Sequence, residues 1–186
     1  MTKYDPLRSY MHNWFMGTHV KQFFIEFLVW EKFFIKCGPL RRVVELGSGM
    51  GGFSFYLFLQ AKFRNASFYT WDINPVHQAV LPFAEEIGFS QRCHQGDLLK
   101  DEKVIKEIRD LISMKRKTLL FCDNGNKPKE VALYVPYLKP GDYMAVHDWD
   151  HEIFQKDIEG LPLKAYEIEH LEKLGCWTRF FEVIDT

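Results

Sequence analysis

Val43-Val44-Glu45-Leu46-Gly47-Ser48-Gly49-Met50-Gly51-Gly52 carries an apolar run into an acid and then a glycine-rich turn, and Phe53 to Leu59 resumes as a mostly apolar segment of helical length. The order expected is strand, tight turn, helix. Glycine suits such a turn because it accepts positive φ and lets a ligand approach bare backbone, while the start of the helix presents N–H groups without intrahelical partners. A ligand is expected here. Gly47, Gly49 and Gly52 also satisfy the G-x-G-x-x-G spacing of dinucleotide-binding turns. Glu45 decides between ligand classes: a carboxylate at the mouth of the turn repels a diphosphate and suits a nucleoside that brings positive charge and hydroxyls. The competing reading of the whole stretch is a plain strand-to-helix turn.

Downstream the same alternation continues. Ser67 to Asp72 reads as a second strand with an acid at its tip, followed by Asn74-Pro75 and a helical stretch to about Ile87. Cys93 to Leu99 runs into the pair Gly96-Asp97, and a charged helix follows from Asp101 to Lys115. Thr118 to Asp123 is a continuous apolar run with an acid at its end, as buried parallel strands read. The loop Asn124 to Pro128 leads into a helix near Lys129 to Leu138, which Pro136 shortens or kinks. Gly141 to Trp149 is a fifth strand with His147 and Asp148 at its end. Strand tips of an open parallel sheet face the crevice where ligands bind, so the acids and the histidine there are candidates for chemistry. Both His147 and Asp148 reach the crevice only if the strand ends at His147, because successive strand residues point to opposite faces. For Asp72 or Asn74 the alternative role is a helix N-cap, and for Asp97 a turn acid.

The two ends carry less. Met1 to Tyr10 reads as an arm, and Thr18 to Lys36 as a helix that Cys37-Gly38-Pro39 stops. At the other end a helix from Glu167 to Leu174, a break at Gly175 and a strand from Trp177 to Ile184 leave the sheet with an abbreviated edge.

With 186 residues and 47% hydrophobic content, the chain suits one domain, an arm and helix over 1–38 ahead of a sheet core over 40–186. A net charge of -1 gives no global basic field, so a nucleic-acid partner is not expected. Charged residues interrupt every run of the roughly 20 apolar residues a membrane span needs. Cys37, Cys93, Cys122 and Cys176 show no paired spacing, which reads as reduced thiols in the cytoplasm.

The run Glu45 to Gly52 resembles the first motif of the class I S-adenosylmethionine-dependent methyltransferases, an acid followed by glycines at alternate positions. The resemblance implies a Rossmann-like, doubly wound α/β fold and a methyl transfer to an oxygen of a small-molecule acceptor. It implies a cofactor site made by Glu45, Gly47, Ser48, Gly49 and Gly51, with Asp72 on the ribose, Asp97 and Leu98 at the adenine, and Asp123 beside them. Across about residues 40 to 150 the strand tips are similar to the catechol O-methyltransferases and to the macrocin O-methyltransferase and cephalosporin hydroxylase group. Those enzymes hold a metal with an acid after the fourth strand and a pair of residues after the fifth. The matching positions are Asp123, His147 and Asp148, where histidine departs from the usual acid or amide. Oxygen ligands favour Mg²⁺, and an imidazole tilts the choice towards Mn²⁺. Without a metal, His147 or Asp123 serves as general base. His12, Trp14 and His19 face a substrate or are surface and packing residues, and Lys127 steadies an oxyanion or is an ordinary solvated lysine. The rival functions are methylation of protein or nucleic acid, against which Asp123-Asn124-Gly125-Asn126 stands in place of an Asn-Pro-Pro-Tyr motif, and a non-catalytic cofactor-binding module.

Overall fold

The computed structural model describes residues 13–74, 82–168 and 175–185. The expected arm at Met1 to Tyr10 and His12 lie outside the described residues, as does most of the helix expected from Glu167 to Leu174.

The first described segment, from residue 13, is a hairpin, β1 (Asn13–Phe15) and β2 (Thr18–Val20), which leads into α1 (Phe24–Lys36). The expected helix from Thr18 is corrected at its first turn and a half. Met16 and Gly17 both take positive φ, 46° and 79°, the conformation that closes a two-residue hairpin, and Thr18 and Val20 alternate buried with His19 between them. Helical periodicity had swallowed a period-two segment. At the other end Gly38, with φ 69°, terminates α1 as expected.

Then follow β3 (Arg42–Leu46), α2 (Gly52–Phe63), β4 (Ser67–Asp72), α3 (Pro82–Glu86), β5 (Cys93–Gln95), α4 (Glu102–Ser113), β6 (Thr118–Cys122), α5 (Lys127–Tyr134), β7 (Tyr143–Val146), β8 (Leu163–Ala165) and β9 (Arg179–Val183). Pro136 falls in the 3-10 turn Val135–Tyr137, so α5 stops four residues short of Leu138. Asp101 caps α4, accepting from the N–H groups of Lys103 and Val104, and Asn126 caps α5.

The main sheet has the order β5-β4-β3-β6-β7-β9-β8, with β3 to β7 parallel and β9 antiparallel to both neighbours. Its edge is complete rather than abbreviated. The missing strand is Leu163-Lys164-Ala165, three residues directly after Pro162, too short to show periodicity in sequence. Winding reverses between β3 and β6, the switch point at whose strand tips an open sheet takes its ligand.

Strand side chains alternate between two cores. Val43, Phe68, Leu119, Phe121 and Ala145 pack under α1 and α2, while Val44, Leu46, Leu120, Cys122, Met144 and Val146 pack under α4 and α5. The first core is strongly aromatic. Trp30 sets its ring 4.8 Å from Phe121 and 5.0 Å from Phe180, and Phe33 stacks on Phe180 at 4.4 Å. Such pairs add about 0.5–1.5 kcal/mol each beyond the area they bury, so α1 is pinned to the sheet directly below the strand tips. Among the described residues, no helix is long and apolar enough to cross a membrane.

Candidate active site

The turn between β3 and α2 is shaped by what crowds it. A Cβ on Gly47, whose φ is 100°, would lie 2.7 Å from the Asp123 carbonyl oxygen and from Asn124 N, and one on Gly52 would collide with the His19 carbonyl. The first glycine therefore lets the β6–α5 loop close against the turn, and the last lets the N-terminal hairpin do so. Backbone bonds from Gly47 N to Trp71 O and from Asp123 N to Leu46 O tie the three strand tips together. The result is a cavity of about 500 Å³ walled by Gly47 to Phe53, His19, Lys21 to Phe23, Asp72, Asp123 to Gly125, Lys127, His147, Asp148, Glu152 and Trp177.

Asp72 faces this cavity beside the glycine turn. Its Oδ2 accepts from Gly49 N and its Oδ1 from Asn74 N, each at 2.9 Å, so the carboxylate is fixed in direction with lone pairs still available. Ser48 lines the cavity and pairs its hydroxyl with that of Thr70 at 2.7 Å. Asp97 and Leu98 line an adjoining hollow of about 300 Å³ that shares Asn124 and Gly125 with the first. Leu98 contributes its backbone there, since its side chain is buried in the α4–α5 core; Tyr134 donates to its carbonyl. Exposed Ile73, one residue past Asp72, supplies the hollow's apolar wall and was not singled out in the sequence.

Glu45 is elsewhere. It is 1% exposed, is not among the cavity's lining residues, and points from the β3 face that packs under α2 towards Ser54 and Thr70. Burial pushes its carboxyl up to about 8, the Ser54 and Thr70 hydroxyls pulling the other way. The role given to Glu45 as a charge at the mouth of the turn is thereby corrected: it is a largely neutral group behind the turn at neutral pH, and the carboxylate bonded to the turn at the cavity wall is that of Asp72.

Asp123, His147 and Asp148 do converge. β7 ends at Val146, the His147 N–H donates to Cys122 O, and Asp148 takes a φ of 57°, which turns its side chain back to the crevice instead of through the sheet. His147 Nδ1 lies 3.3 Å from Asp123 Oδ1 and 3.1 Å from Asp148 Oδ1. Burial by itself lowers the imidazole pKa, but the Asp123, Asp148 and Glu26 carboxylates outweigh it and push His147 up to about 10. It is an imidazolium at neutral pH, a donor rather than a base. His147 and Lys127 in turn overcome burial and hold Asp148 well below the carboxylate range.

Four neighbours went unrecognised or undervalued in the sequence. Lys127 is 4% exposed, and its ammonium lies 2.5 Å from Asp148, 2.8 Å from Glu152 and 3.9 Å from Asp123. It is no solvated lysine. Gln22, between the hairpin and α1, donates to Asp123 Oδ2 at 2.5 Å. Glu26, fully buried on α1, accepts from Cys176 Sγ and from Trp177 N, each at 2.8 Å. Trp177 packs edge-on against Phe23 at 4.6 Å and 4.0 Å from the His151 ring, forming the cavity's aromatic flank. One signal for Lys127 was legible: a lysine in the first turn of a helix opposes the helix dipole and needs acids nearby. The hairpin brings His19 to the wall, while Trp14, ring to ring with His19 at 5.7 Å, is not among the lining residues.

No protein-family model matches the sequence, and no curated protein does. Solved structures do match in shape. CmcI in its apo form is 16% identical with a TM-score of 0.57 over 74% of this chain and 57% of that one. An O-methyltransferase family protein from Burkholderia thailandensis is 11% identical with a TM-score of 0.55 over 87% and 56%. MycE, in complex with Mg, SAH and mycinamycin VI, is 15% identical with a TM-score of 0.51 over 83% and 44%. The Rossmann-like α/β fold is the one these structures share. CmcI has also been solved with Mg and S-adenosylmethionine, 18% identical to this chain with a TM-score of 0.56. This chain spans between 44% and 57% of the length of these structures.

The cation question can be put to this site directly. Asp123, His147 and Asp148 each offer one ligand atom, and these atoms all lie within 4.8 Å of one another. The carboxylate oxygens of Asp123 and Asp148 fit Mg²⁺ or Mn²⁺, and His147 joins them as a ligand only by giving up the proton it holds at neutral pH.

Proposed function

We propose that the chain is an S-adenosylmethionine-dependent methyltransferase acting on an oxygen of a small-molecule acceptor. The observation that supports this reading is that the glycine turn, Asp72 and the Asp123–His147–Asp148 group wall one and the same cavity, as a cofactor seat next to an acid–base cluster would require. Asp72 would hold the cofactor's ribose hydroxyls, and Ile73 with the Asp97–Leu98 segment would take its adenine in the adjoining hollow. A cytoplasmic protein forming a single domain over residues 1–186 is part of the same reading.

Transfer from a sulfonium needs little covalent help, since the leaving group is already good; alignment and deprotonation of the acceptor do the catalysis. His147, protonated at neutral pH, cannot take the acceptor proton and instead donates towards Asp123 and Asp148. That leaves Asp123 as the base, oriented by the Gln22 amide on its other oxygen. The bound cofactor would supply an electrophilic methyl group with a thioether leaving group, and Asp123 would take the proton that the acceptor hydroxyl gives up. The Lys127 ammonium stabilises negative charge developing on that oxygen. In place of the Lys127 ammonium, a divalent cation held by Asp123 and Asp148, with His147 as a third ligand once deprotonated, would lower the pKa of the bound hydroxyl. Trp177, Phe23 and His19 form the acceptor's side of the cavity.

Labelled methyl transfer from S-adenosylmethionine to a panel of phenols and sugar alcohols tests the reading. D123N is expected to lower kcat by about a hundredfold with little change in cofactor affinity. Cofactor binding with no labelled product on any acceptor would favour a non-catalytic module.

A further inference from the structure

We propose that the Lys127 ammonium is the resident cation of the Asp123–Asp148–Glu152 cluster, and that this ammonium and a divalent cation exclude one another there. The inference rests on the reading of Asp123, His147 and Asp148 as a cation site and adds the residue that sets its affinity.

The acids reach Lys127 from separate parts of the chain: Asp123 from the tip of β6, Asp148 from beyond β7, and Glu152 from the turn that follows. Carboxylates converging from different elements on one half-buried point are the surroundings a divalent cation requires. Here the point is held by a nitrogen. Asp148 divides its oxygens, Oδ1 facing His147 Nδ1 and Oδ2 facing Lys127 Nζ, so one carboxylate serves the group with metal-ligand spacing and the ammonium together. An ion bound through Asp148 therefore sits within a few ångströms of a positive charge that has little water around it to screen the repulsion. To bind, the ion has to drive the ammonium out of the cluster. The lysine stem permits that movement; the position of its backbone does not change, because Lys127 begins α5 behind the Asn126 cap and the helix dipole favours the departure of a cation.

This arrangement differs from an exposed lysine that happens to pair with surface acids. Such a lysine stays in water and has no bearing on what binds next to it. Lys127 is 4% exposed, and burial on this scale persists only because the carboxylates are there. The charge on the cluster is thus already offset from within the chain, by Lys127 together with His147 on the other oxygen of Asp148, and Lys127 is the part of that offset a long stem lets a divalent cation displace.

Mn²⁺ binding followed by electron paramagnetic resonance, on the full chain without cofactor or acceptor, tests the inference. K127M removes the charge and keeps the stem, and it is expected to bind Mn²⁺ at least about tenfold more tightly than wild type. K127R keeps the charge and is expected to bind no more tightly than wild type. If K127M binds Mn²⁺ with wild-type affinity or weaker, the inference is wrong. Should K127M fail to fold, reductive methylation of wild type, read at Lys127 by mass spectrometry, replaces it: labelling should rise as Mn²⁺ is added and not with sodium chloride of equal ionic strength. Unchanged labelling overturns the inference. Because no cofactor is present, either failure leaves the assignment of the glycine turn standing, and a failure of S-adenosylmethionine to bind leaves this result standing.

Discussion

Glu26 Oε1 lies 3.9 Å from His147 Nε2, which links the N-terminal helix to the tip of β7 inside the protein. The imidazole thus has a carboxylate on each side, Glu26 behind it and Asp123 and Asp148 in front, and its proton is shared among groups from α1, β6 and β7.

A pH dependence of stability follows from this sandwich. His147 is raised to about 10 in the fold, against about 6.5 unfolded. Its contribution is fully present below the lower value and is lost as pH rises through the upper one. Unfolding in urea between about pH 6 and pH 10 should show stability falling steadily, and H147Q should flatten the slope. A wild-type slope that H147Q leaves unchanged would count against the imidazolium.

Glu45 contributes with the same sign at lower pH. Its carboxyl is raised from 4.5 to about 8, so over that interval the folded chain binds a proton that the unfolded chain has released, and stability falls as pH rises. Glutamine imitates the protonated form. E45Q should therefore match wild type near pH 4.5 and exceed it by on the order of 4 kcal/mol near pH 8, read from denaturant midpoints.

Close packing at the turn makes its end glycines intolerant for different reasons. G52A drives a Cβ into the His19 carbonyl and should cost about 2–3 kcal/mol, with the hairpin becoming the first site of proteolysis. At Gly47 the obstacle is the β6–α5 loop, so G47A should separate the tips of β3 and β6 and abolish cofactor binding along with the lost stability.

Asp72 should matter to the ligand more than to the fold. D72N keeps the shape and still accepts from one of the two backbone N–H groups, but removes the charge that the ribose hydroxyls meet. Cofactor affinity should fall by about 10- to 100-fold in calorimetry, the value of a charge-assisted hydrogen bond, while the thermal midpoint moves little.

The sheet was legible because β3, β4 and β6 are largely apolar runs closed by a glycine or an acid and β7 an apolar run closed by His147-Asp148, while short, polar β5 was placed by the Gly96-Asp97 pair after it. What the pattern could not show was direction in depth. Glu45 sits on the core-facing side of its strand next to Thr70 and Phe121, and only the register with β4 and β6 reveals that its carboxyl is sealed from the cavity. Lys127 had the opposite fate. As a lysine in a polar loop it reads as solvated, and its burial depends on acids that the sheet brings from β7 and beyond. The hairpin at Asn13–Val20 and strand β8 escaped for want of length, since three residues carry too little periodicity to separate strand from helix or loop.

The central claim is that the glycine turn seats a positively charged nucleoside. Calorimetry of the full chain with S-adenosylmethionine, S-adenosylhomocysteine and NAD tests it most directly. Micromolar binding of the first two and none of NAD is the predicted result; tighter binding of NAD, or no binding of either adenosyl compound, would contradict it.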